Sequence, residues 1–109
     1  MRIIGLEEHY IFERAQALNV PIYLHPTVPP PSVYQTYYQG YPSSLIPAWG
    51  FNVDTGLHAL RLIMKGLFDK YPKLKIILGH MGEVITFQLW RLDHWVTPEL
   101  KRLSKSIGQ

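Results

Sequence analysis

Three of the five histidines in this chain, His9, His25 and His80, follow shortly after apolar runs that are typical of buried strands. In parallel α/β proteins, ligands and catalytic groups gather at the carboxyl ends of the strands. Glu7 lies two residues before His9, so on a strand the two side chains would point to the same side. Imidazole and carboxylate together suit a divalent metal such as zinc or manganese. Each histidine could instead be a hydrogen-bonded structural residue, and the spacing does not decide between the two.

Among the other titratable residues, His58, His94 and Asp93 are interpreted first as packing or surface residues. His58 and His94 fall in predicted helices, where we expect them to pack or to face solvent. Arg91 and Asp93 could form a local charge pair. Arg91 is also placed where an arginine could meet a carboxylate, and the two interpretations of this residue remain open.

Alternating strands and helices must position these groups. The apolar runs predict strands at residues 2–6, 21–24 and 74–78. Helical periodicity and stop signals predict helices at residues 11–19, 52–70 and 83–95, with a second segment after Pro98. The alternation predicts a small parallel sheet of three strands, built from βαβ units.

The stretch between His25 and Phe51 shows no clear periodicity and is predicted to be a loop. A loop of this length in a small domain is often a lid or a binding loop. It contains Tyr34, Tyr37, Tyr38 and Tyr41. These rings could wall a pocket or an interface, because a tyrosine ring is apolar and its hydroxyl can bond. Surface packing of the same rings explains the composition equally well.

The composition is that of an ordinary globular domain. Of the 109 residues, 47% are hydrophobic and 17% are charged, which argues against intrinsic disorder and leaves room for one domain. No apolar run approaches the roughly 18 residues that span a bilayer, and no secretory signal is evident, so we expect no membrane partner. The absence of cysteine suits a reducing cytoplasm, where we expect the protein to lie. The net charge of +3 predicts no nucleic-acid partner, because much of the excess lies at Lys101, Arg102 and Lys105.

Five short motifs in this sequence resemble a known enzyme family. They are LEEHY at residues 6–10, VPIYLHP at 20–26, GLFDKYP at 66–72, LGHMGE at 78–83 and LWRLDH at 89–94. Together they resemble the decarboxylase branch of the metal-dependent amidohydrolase superfamily, of the gamma-resorcylate and 2,3-dihydroxybenzoate decarboxylase type. The resemblance covers nearly the whole chain, and the combination is more specific than any one motif.

The resemblance implies a fold, a cofactor and a reaction. The family has a (β/α)8 barrel with one divalent metal ion at the strand ends, which here would be zinc, manganese or magnesium. Its metal ligands fall on Glu7, His9 and His25. The implied reaction is the reversible, non-oxidative loss of carbon dioxide from a hydroxybenzoate, and the implied partner is therefore a small aromatic carboxylate. The metal would bind the carboxylate and the ortho-hydroxyl group as a Lewis acid and template.

The resemblance also assigns catalytic residues. His80 and Glu83 match residues that assist proton transfer and orient the substrate, with Glu83 setting the imidazole tautomer. Arg91 matches an arginine near that site. The family's further metal-binding aspartate, which is also the expected proton donor to the ring, has no match in this sequence.

A barrel of this class takes about 250 residues or more. We therefore expect a truncated, internally deleted chain: an α/β, partial TIM-barrel-like fragment of about three parallel βα units. Residues 1–109 would form one incomplete amidohydrolase-like domain. Opened sheet edges and an exposed inner face predict self-association, which makes a homo-oligomer the expected state.

Two alternatives to an active decarboxylase are compatible with the sequence. The first is an inactive fragment or an interaction module of such an enzyme, which the missing aspartate favours. The second is a metal-dependent hydrolase of the same superfamily. The Glu-x-His pattern at residues 7–9 speaks against a hydrolase, because hydrolytic branches generally carry His-x-His there.

Overall fold

The computed structural model describes the backbone of residues 6–100 and 103–109, and the side chains from residue 9 onward within those ranges. In chain order these residues form α1 (Leu6–Ala17), β1 (Ile22–Leu24), α2 (Pro31–Tyr37), a π-helical turn (Ile46–Gly50), α3 (Phe51–Met64), α4 (Leu67–Lys70), β2 (Ile76–Leu78), the short turn α5 (Gly79–Glu83), α6 (Ile85–Trp95) and a 3-10 turn (Thr97–Glu99). None of the described helices is both long and apolar enough to cross a membrane.

A parallel pair of strands forms the sheet in the described part of the chain. Ile22 pairs with Ile76, and the register continues to Leu24 and Leu78. These strands lie within the predicted runs at residues 21–24 and 74–78, so both predictions are confirmed. Each strand is only three residues long: Pro21 precedes β1, and the turn α5 begins at Gly79, directly after β2.

The structure tests the first predicted strand, at residues 2–6, only at Leu6. Residues 2–5 of that prediction lie outside the described residues, and Leu6 already belongs to α1. The segment Leu6–Ala17 contains glutamate, arginine, alanine and glutamine, which are good helix formers, so the helix extends back through the residues predicted to end a strand. The described sheet therefore has two strands where three were predicted.

The hydrophobic core lies on one face of the sheet. Its buried members come from α1, α3, α4 and the segment before β2: Phe12, Ala15, Leu62, Leu67, Tyr71 and Leu74. Ile22, Leu24 and Ile76 pack against this cluster. Side chains alternate across a strand, so the residues between them, Tyr23 and Ile77, point to the other face, where they are 49% and 45% exposed.

The long helix predicted over residues 52–70 is divided in two. Helix α3 ends at Met64, and Gly66 follows with a left-handed φ of 78° before α4 begins. Glycine adopts this conformation without the steric cost of a Cβ atom, which makes it a common helix-ending residue. The expected stop at Tyr71 and Pro72 is confirmed, because α4 ends at Lys70.

The stretch between His25 and Phe51 is more regular than predicted. It contains α2, which starts at Pro31, and the π-helical turn Ile46–Gly50, which leads directly into α3. Proline is favoured in the first turn of a helix, because it has no N–H to leave unbonded and its φ is already helical. The prediction of a loop without helices is therefore wrong.

The predicted helix at residues 83–95 begins two residues later than expected. Val84 has a φ of 65°, which is incompatible with a right-handed helix, so α6 begins at Ile85. The second segment, predicted to follow Pro98, is a three-residue 3-10 turn that already contains this proline.

Two aspartates, on α4 and α6, form hydrogen bonds with the C-terminal segment, residues 103–109. Asp93 of α6 accepts a hydrogen bond from the Gly108 N–H at 3.0 Å. Asp69 of α4 accepts hydrogen bonds from the N–H and the hydroxyl of Ser104. Carboxylate oxygens therefore contribute to the attachment of this segment, which should depend in part on their charge.

We expect attachment of this segment to weaken in acid. The hydrogen bond from the Gly108 N–H, together with one from Thr97, holds the pKa of Asp93 below its usual value. A carboxyl group whose pKa is lower in the folded state stabilises that state above its unfolded pKa of about 3.9, and the contribution disappears as the pH falls through the folded pKa. At pH 7, Asp93→Asn should speed amide hydrogen exchange at Gly108 by roughly two- to tenfold.

The difference in exchange between Asp93→Asn and the wild-type chain should disappear as the pH falls through the folded pKa of Asp93, because both chains then carry a neutral group at this position. Asp54→Asn, at an exposed position of α3, is the control and should leave exchange at Gly108 unchanged over the same pH series. An effect of Asp93→Asn that stays constant throughout the acid series would contradict the role of the carboxylate charge.

Candidate active site

The ends of the two strands bring two predicted site residues together. His25 follows β1 and His80 lies in the turn after β2, and the strands are parallel, so both residues lie at the same edge of the sheet. Their ring centroids are 5.9 Å apart in an edge-on arrangement, with the ring planes 69° apart. Both side chains are exposed, so the pair can be reached from solvent.

The tautomer of His25 follows from its backbone contact. Its Nδ1 lies 2.7 Å from the Pro26 carbonyl oxygen, which can only accept a hydrogen bond. Nδ1 therefore carries the proton in the neutral ring, and Nε2 keeps its lone pair. Histidines that bind metal ions commonly donate their second ring N–H to such a carbonyl group. His25 thus has the protonation pattern of a metal ligand that binds through Nε2.

His80 forms a dyad with a buried carboxylate. Its Nδ1 lies 2.8 Å from Oε1 of Glu83. Glu83 is only 3% exposed, and its Oε2 is buried without a hydrogen-bond partner among the described residues. Burying a carboxylate is costly unless it is paired, so the contact with His80 is the main compensation that this structure offers. The carboxylate holds a proton on Nδ1 of His80, which leaves the lone pair of the neutral ring on Nε2.

The dyad lies on a strained turn. His80 and Glu83 have φ values of 48° and 51°, and the intervening Met81 and Gly82 are also left-handed. This conformation costs a non-glycine residue about 1–2 kcal/mol. Such strain persists only where the surrounding structure fixes the backbone, and it is common at functional sites.

Helix α3 fixes one side of this turn. A Cβ atom at Gly56 would lie 3.2 Å from the carbonyl oxygen of Glu83, so glycine permits this close approach of helix and turn. Phe51, the first residue of α3, places its ring centroid 5.9 Å from that of His80. The helix therefore supports the turn with its backbone and bounds His80 with an aromatic ring.

Two residues beside the histidines, Tyr23 and Phe51, were not expected from the sequence. Tyr23, two residues before His25 on the same strand face, has its ring centroid 5.8 Å from that of His25. Strand alternation was a signal that could have identified it. Phe51 reaches His80 only because a long segment folds back onto the sheet, and no spacing rule indicates that contact.

The predicted ligands Glu7 and His9 lie on α1, not at the end of a strand. The side chain of Glu7 lies outside the described residues. The ring of His9 lies 6.4 Å from that of Tyr71, and its carbonyl oxygen accepts a hydrogen bond from the Tyr71 hydroxyl at 3.4 Å. Among the side chains that the structure describes, no three of His, Cys, Asp or Glu form a group that could hold a metal ion. The helix places the ring of His9 beside that of Tyr71, which belongs to the core.

Arg91 lies on α6. Its exposed side chain lines a groove of about 510 Å³ between α3 and α6, which Glu83 also lines. No ion pair joins it to Asp93 among the described residues, because Asp93 binds the C-terminal segment. Of the two interpretations left open for Arg91, the local charge pair with Asp93 is therefore not observed among the described residues. The other predicted surface residue, His94, is exposed and stacks on Trp90 at 5.3 Å, as expected of a packing histidine.

Comparison with known proteins identifies relatives over almost the whole chain. The family model for amidohydrolases matches residues 5–102. Gamma-resorcylate decarboxylase from Polaromonas sp. strain JS666 is 55% identical over 101 residues, which cover 88% of this chain and 31% of that protein. Gamma-resorcylate decarboxylase from Rhizobium sp. strain MTP-10005 is 50% identical over 84 residues, which cover 74% of this chain and 25% of that protein. The chain thus spans between a quarter and a third of the length of these relatives.

A solved structure is also similar. It is the crystal structure of a dihydroxybenzoic acid decarboxylase from Polaromonas sp. JS666, with bound manganese and the inhibitor 2-nitroresorcinol. The TM-score is 0.73 at 43% identity, and the match covers 96% of this chain and 31% of that one. Solved neighbours of this family are TIM barrels, whereas the described residues here form a small helix-and-strand unit with a two-stranded sheet. The resemblance to the decarboxylase branch is confirmed, and the chain belongs to the amidohydrolase family.

Proposed function

We propose that this chain carries the His80–Glu83 proton-transfer dyad of a metal-dependent decarboxylase that acts on a hydroxybenzoate. The observation that supports this most directly is the dyad itself: a buried carboxylate 2.8 Å from a histidine nitrogen, beside a second strand-end histidine. The similarity to gamma-resorcylate decarboxylases supports the choice of reaction and substrate class. Gamma-resorcylate is 2,6-dihydroxybenzoate, which is therefore the first substrate to test.

The reaction replaces a carboxylate group by hydrogen. The bond between the ring and the carboxyl carbon breaks, carbon dioxide leaves, and the electron pair that remains on the ring carbon takes up a proton. His80 assists this proton transfer: Nε2 takes up a proton from solvent, Glu83 stabilises the resulting imidazolium, and Nε2 then donates that proton to the ring carbon. Phe51 limits the access of water to one side of His80. The reverse reaction, carboxylation at high bicarbonate, uses the same groups.

We propose His25 as the metal ligand that this arrangement prepares, with Glu7 and His9 as the further ligands that family resemblance implies. The contact of His25 with Pro26 fits this role, since it leaves Nε2 available. A bound divalent ion would supply Lewis-acid stabilisation of the carboxylate and the ortho-hydroxyl group. Glu7 and His9 lie on α1, so the first turn of that helix must rearrange if they are to bind the same ion as His25.

We further propose that the protein acts as a homo-oligomer. Exposed aromatic side chains on α6, those of Phe87, Trp90 and Trp95, support this proposal. Tyr23 and Ile77 add an exposed sheet face. Apolar surface of this kind is commonly covered by another chain.

The test is the decarboxylation of 2,6-dihydroxybenzoate by the full chain with added Mn²⁺, followed by chromatography of the product, 1,3-dihydroxybenzene. We expect product formation by the wild-type chain. His25→Ala should lower both the turnover and the manganese retained after dialysis by at least about tenfold, because it removes a ligand. His58→Ala, on α3 and outside the dyad, is the control and should retain both.

Three results would each overturn part or all of this proposal. If the wild-type chain retains manganese but forms no product, the proposed reaction is wrong. If His25→Ala retains both metal and turnover, the reaction stands and the assignment of His25 is wrong. If the wild-type chain neither retains metal nor forms product, this result supports the alternative of an inactive fragment or an interaction module.

A further inference from the structure

The side chain of Tyr23 lies on the same face of the sheet as the ring of His25. Ile22 and Leu24, on either side of it, pack against the core, so Tyr23 points away from the core. His25, two residues further along, shares this direction, and the two ring centroids are 5.8 Å apart. The cross-strand partner of Tyr23 is Ile77, which supplies an apolar wall beside it.

The absence of a side chain at position 79 makes room for the Tyr23 hydroxyl. A Cβ atom at Gly79 would lie 2.2 Å from that oxygen, which no side chain could tolerate without displacing the tyrosine. Gly79 is the residue directly before His80. The hydroxyl is thus held next to the turn that carries the dyad, and the ring next to His25.

The hydroxyl forms no hydrogen bond with the residues that the structure describes, whereas a phenolic oxygen can both donate and accept one. It is therefore a free polar group on a surface formed otherwise by Ile77 and the histidine rings. A polar group of this kind typically fixes the orientation of a ligand in a largely apolar pocket.

We propose that Tyr23 determines specificity by hydrogen bonding to a ring hydroxyl of the bound hydroxybenzoate. This rests on the proposed function. 2,6-Dihydroxybenzoate carries a second ortho-hydroxyl group that 2-hydroxybenzoate lacks, and in a largely apolar site this group needs a hydrogen-bond partner. Tyr23 supplies that partner and thereby favours 2,6-dihydroxybenzoate.

The test compares the binding of these two acids to the full, manganese-loaded chain by calorimetry, in the wild-type chain and in Tyr23→Phe. We expect the wild-type chain to prefer 2,6-dihydroxybenzoate. Tyr23→Phe should weaken its binding about tenfold and leave 2-hydroxybenzoate within about twofold, because only the first ligand loses a hydrogen bond. Tyr37→Phe, on the exposed face of α2, is the matched control and should bind both acids as the wild-type chain does.

Gly79→Ala provides a second variant that keeps the hydroxyl but displaces it, and it should reduce the preference for 2,6-dihydroxybenzoate in the same way. If Tyr23 had a purely structural role, Tyr23→Phe would weaken the binding of both acids equally, and that result would overturn the inference. An unchanged preference in Tyr23→Phe would overturn it as well. If the wild-type chain binds neither acid, the proposed function itself fails, which is a different pattern because the variants then have no preference to lose.

Discussion

His80→Asn is expected to lower the turnover of 2,6-dihydroxybenzoate by about 10²–10⁴-fold, the range typical of losing a general acid or base. Asparagine preserves a hydrogen-bonding group of similar reach but cannot take up a proton. The change should lower kcat far more than it raises KM, because the proton moves only during the reaction. Steady-state kinetics on the manganese-loaded chain measure both.

Glu83→Gln tests the second member of the dyad. The glutamine oxygen can still accept the Nδ1 hydrogen bond of His80, but the negative charge that stabilises the imidazolium is gone. We therefore expect an intermediate loss of roughly tenfold or more. His94→Asn, on α6 against Trp90, should leave turnover unchanged and serves as the control. Turnover by His80→Asn within threefold of the wild-type value would remove His80 from the mechanism.

The predictable part of this fold rests on local patterns. Two apolar runs, each bounded by polar or proline residues, predicted β1 and β2 correctly. Their parallel pairing explains why His25 and His80, more than fifty residues apart in sequence, have ring centroids 5.9 Å apart. The same physics predicts that Tyr23 shares a face with His25.

Other features depend on contacts that a local pattern does not contain. A short apolar run can belong to a strand or lead into a helix. Leu6, the last residue of the run at 2–6, begins α1, because the residues that follow it favour a helix. The left-handed turn is similar: of its five consecutive left-handed residues, 80–84, only Gly82 favours that conformation by itself. Packing against α3 at Gly56 fixes the others.

The position of His9 has a functional consequence. While α1 remains helical through its first turn, His9 contacts Tyr71 and the candidate ligands are divided between the core side of the sheet and its open face. Its Nδ1 is buried without a hydrogen-bond partner among the described residues, which is an unfavourable environment for an imidazole. Rearrangement of that turn would relieve this cost, and it would also be needed to bring His9 to His25.

Leu62→Ala is expected to lower the free energy of unfolding by about 2–5 kcal/mol, as is typical of a buried leucine. Leu62 lies on α3 and, at 2% exposure, has almost no contact with solvent. It belongs to the cluster that joins α1, α3 and α4, against which the strands pack. Since small domains are stable by only about 5–15 kcal/mol, this single change should markedly shift the urea midpoint measured by circular dichroism.

Leu57→Ala is the matched control, because it makes the same chemical change on the same helix at a position that is 52% exposed. It should cost less than about 1 kcal/mol, since most of the side chain already contacts water. The two variants also distinguish an effect on stability from an effect on the candidate site. Leu62 supports the sheet face opposite to Tyr23 and His25, so its loss should reduce turnover only as the folded fraction falls. If Leu57→Ala proved as destabilising as Leu62→Ala, the core would not lie on the face of the sheet that we assign to it.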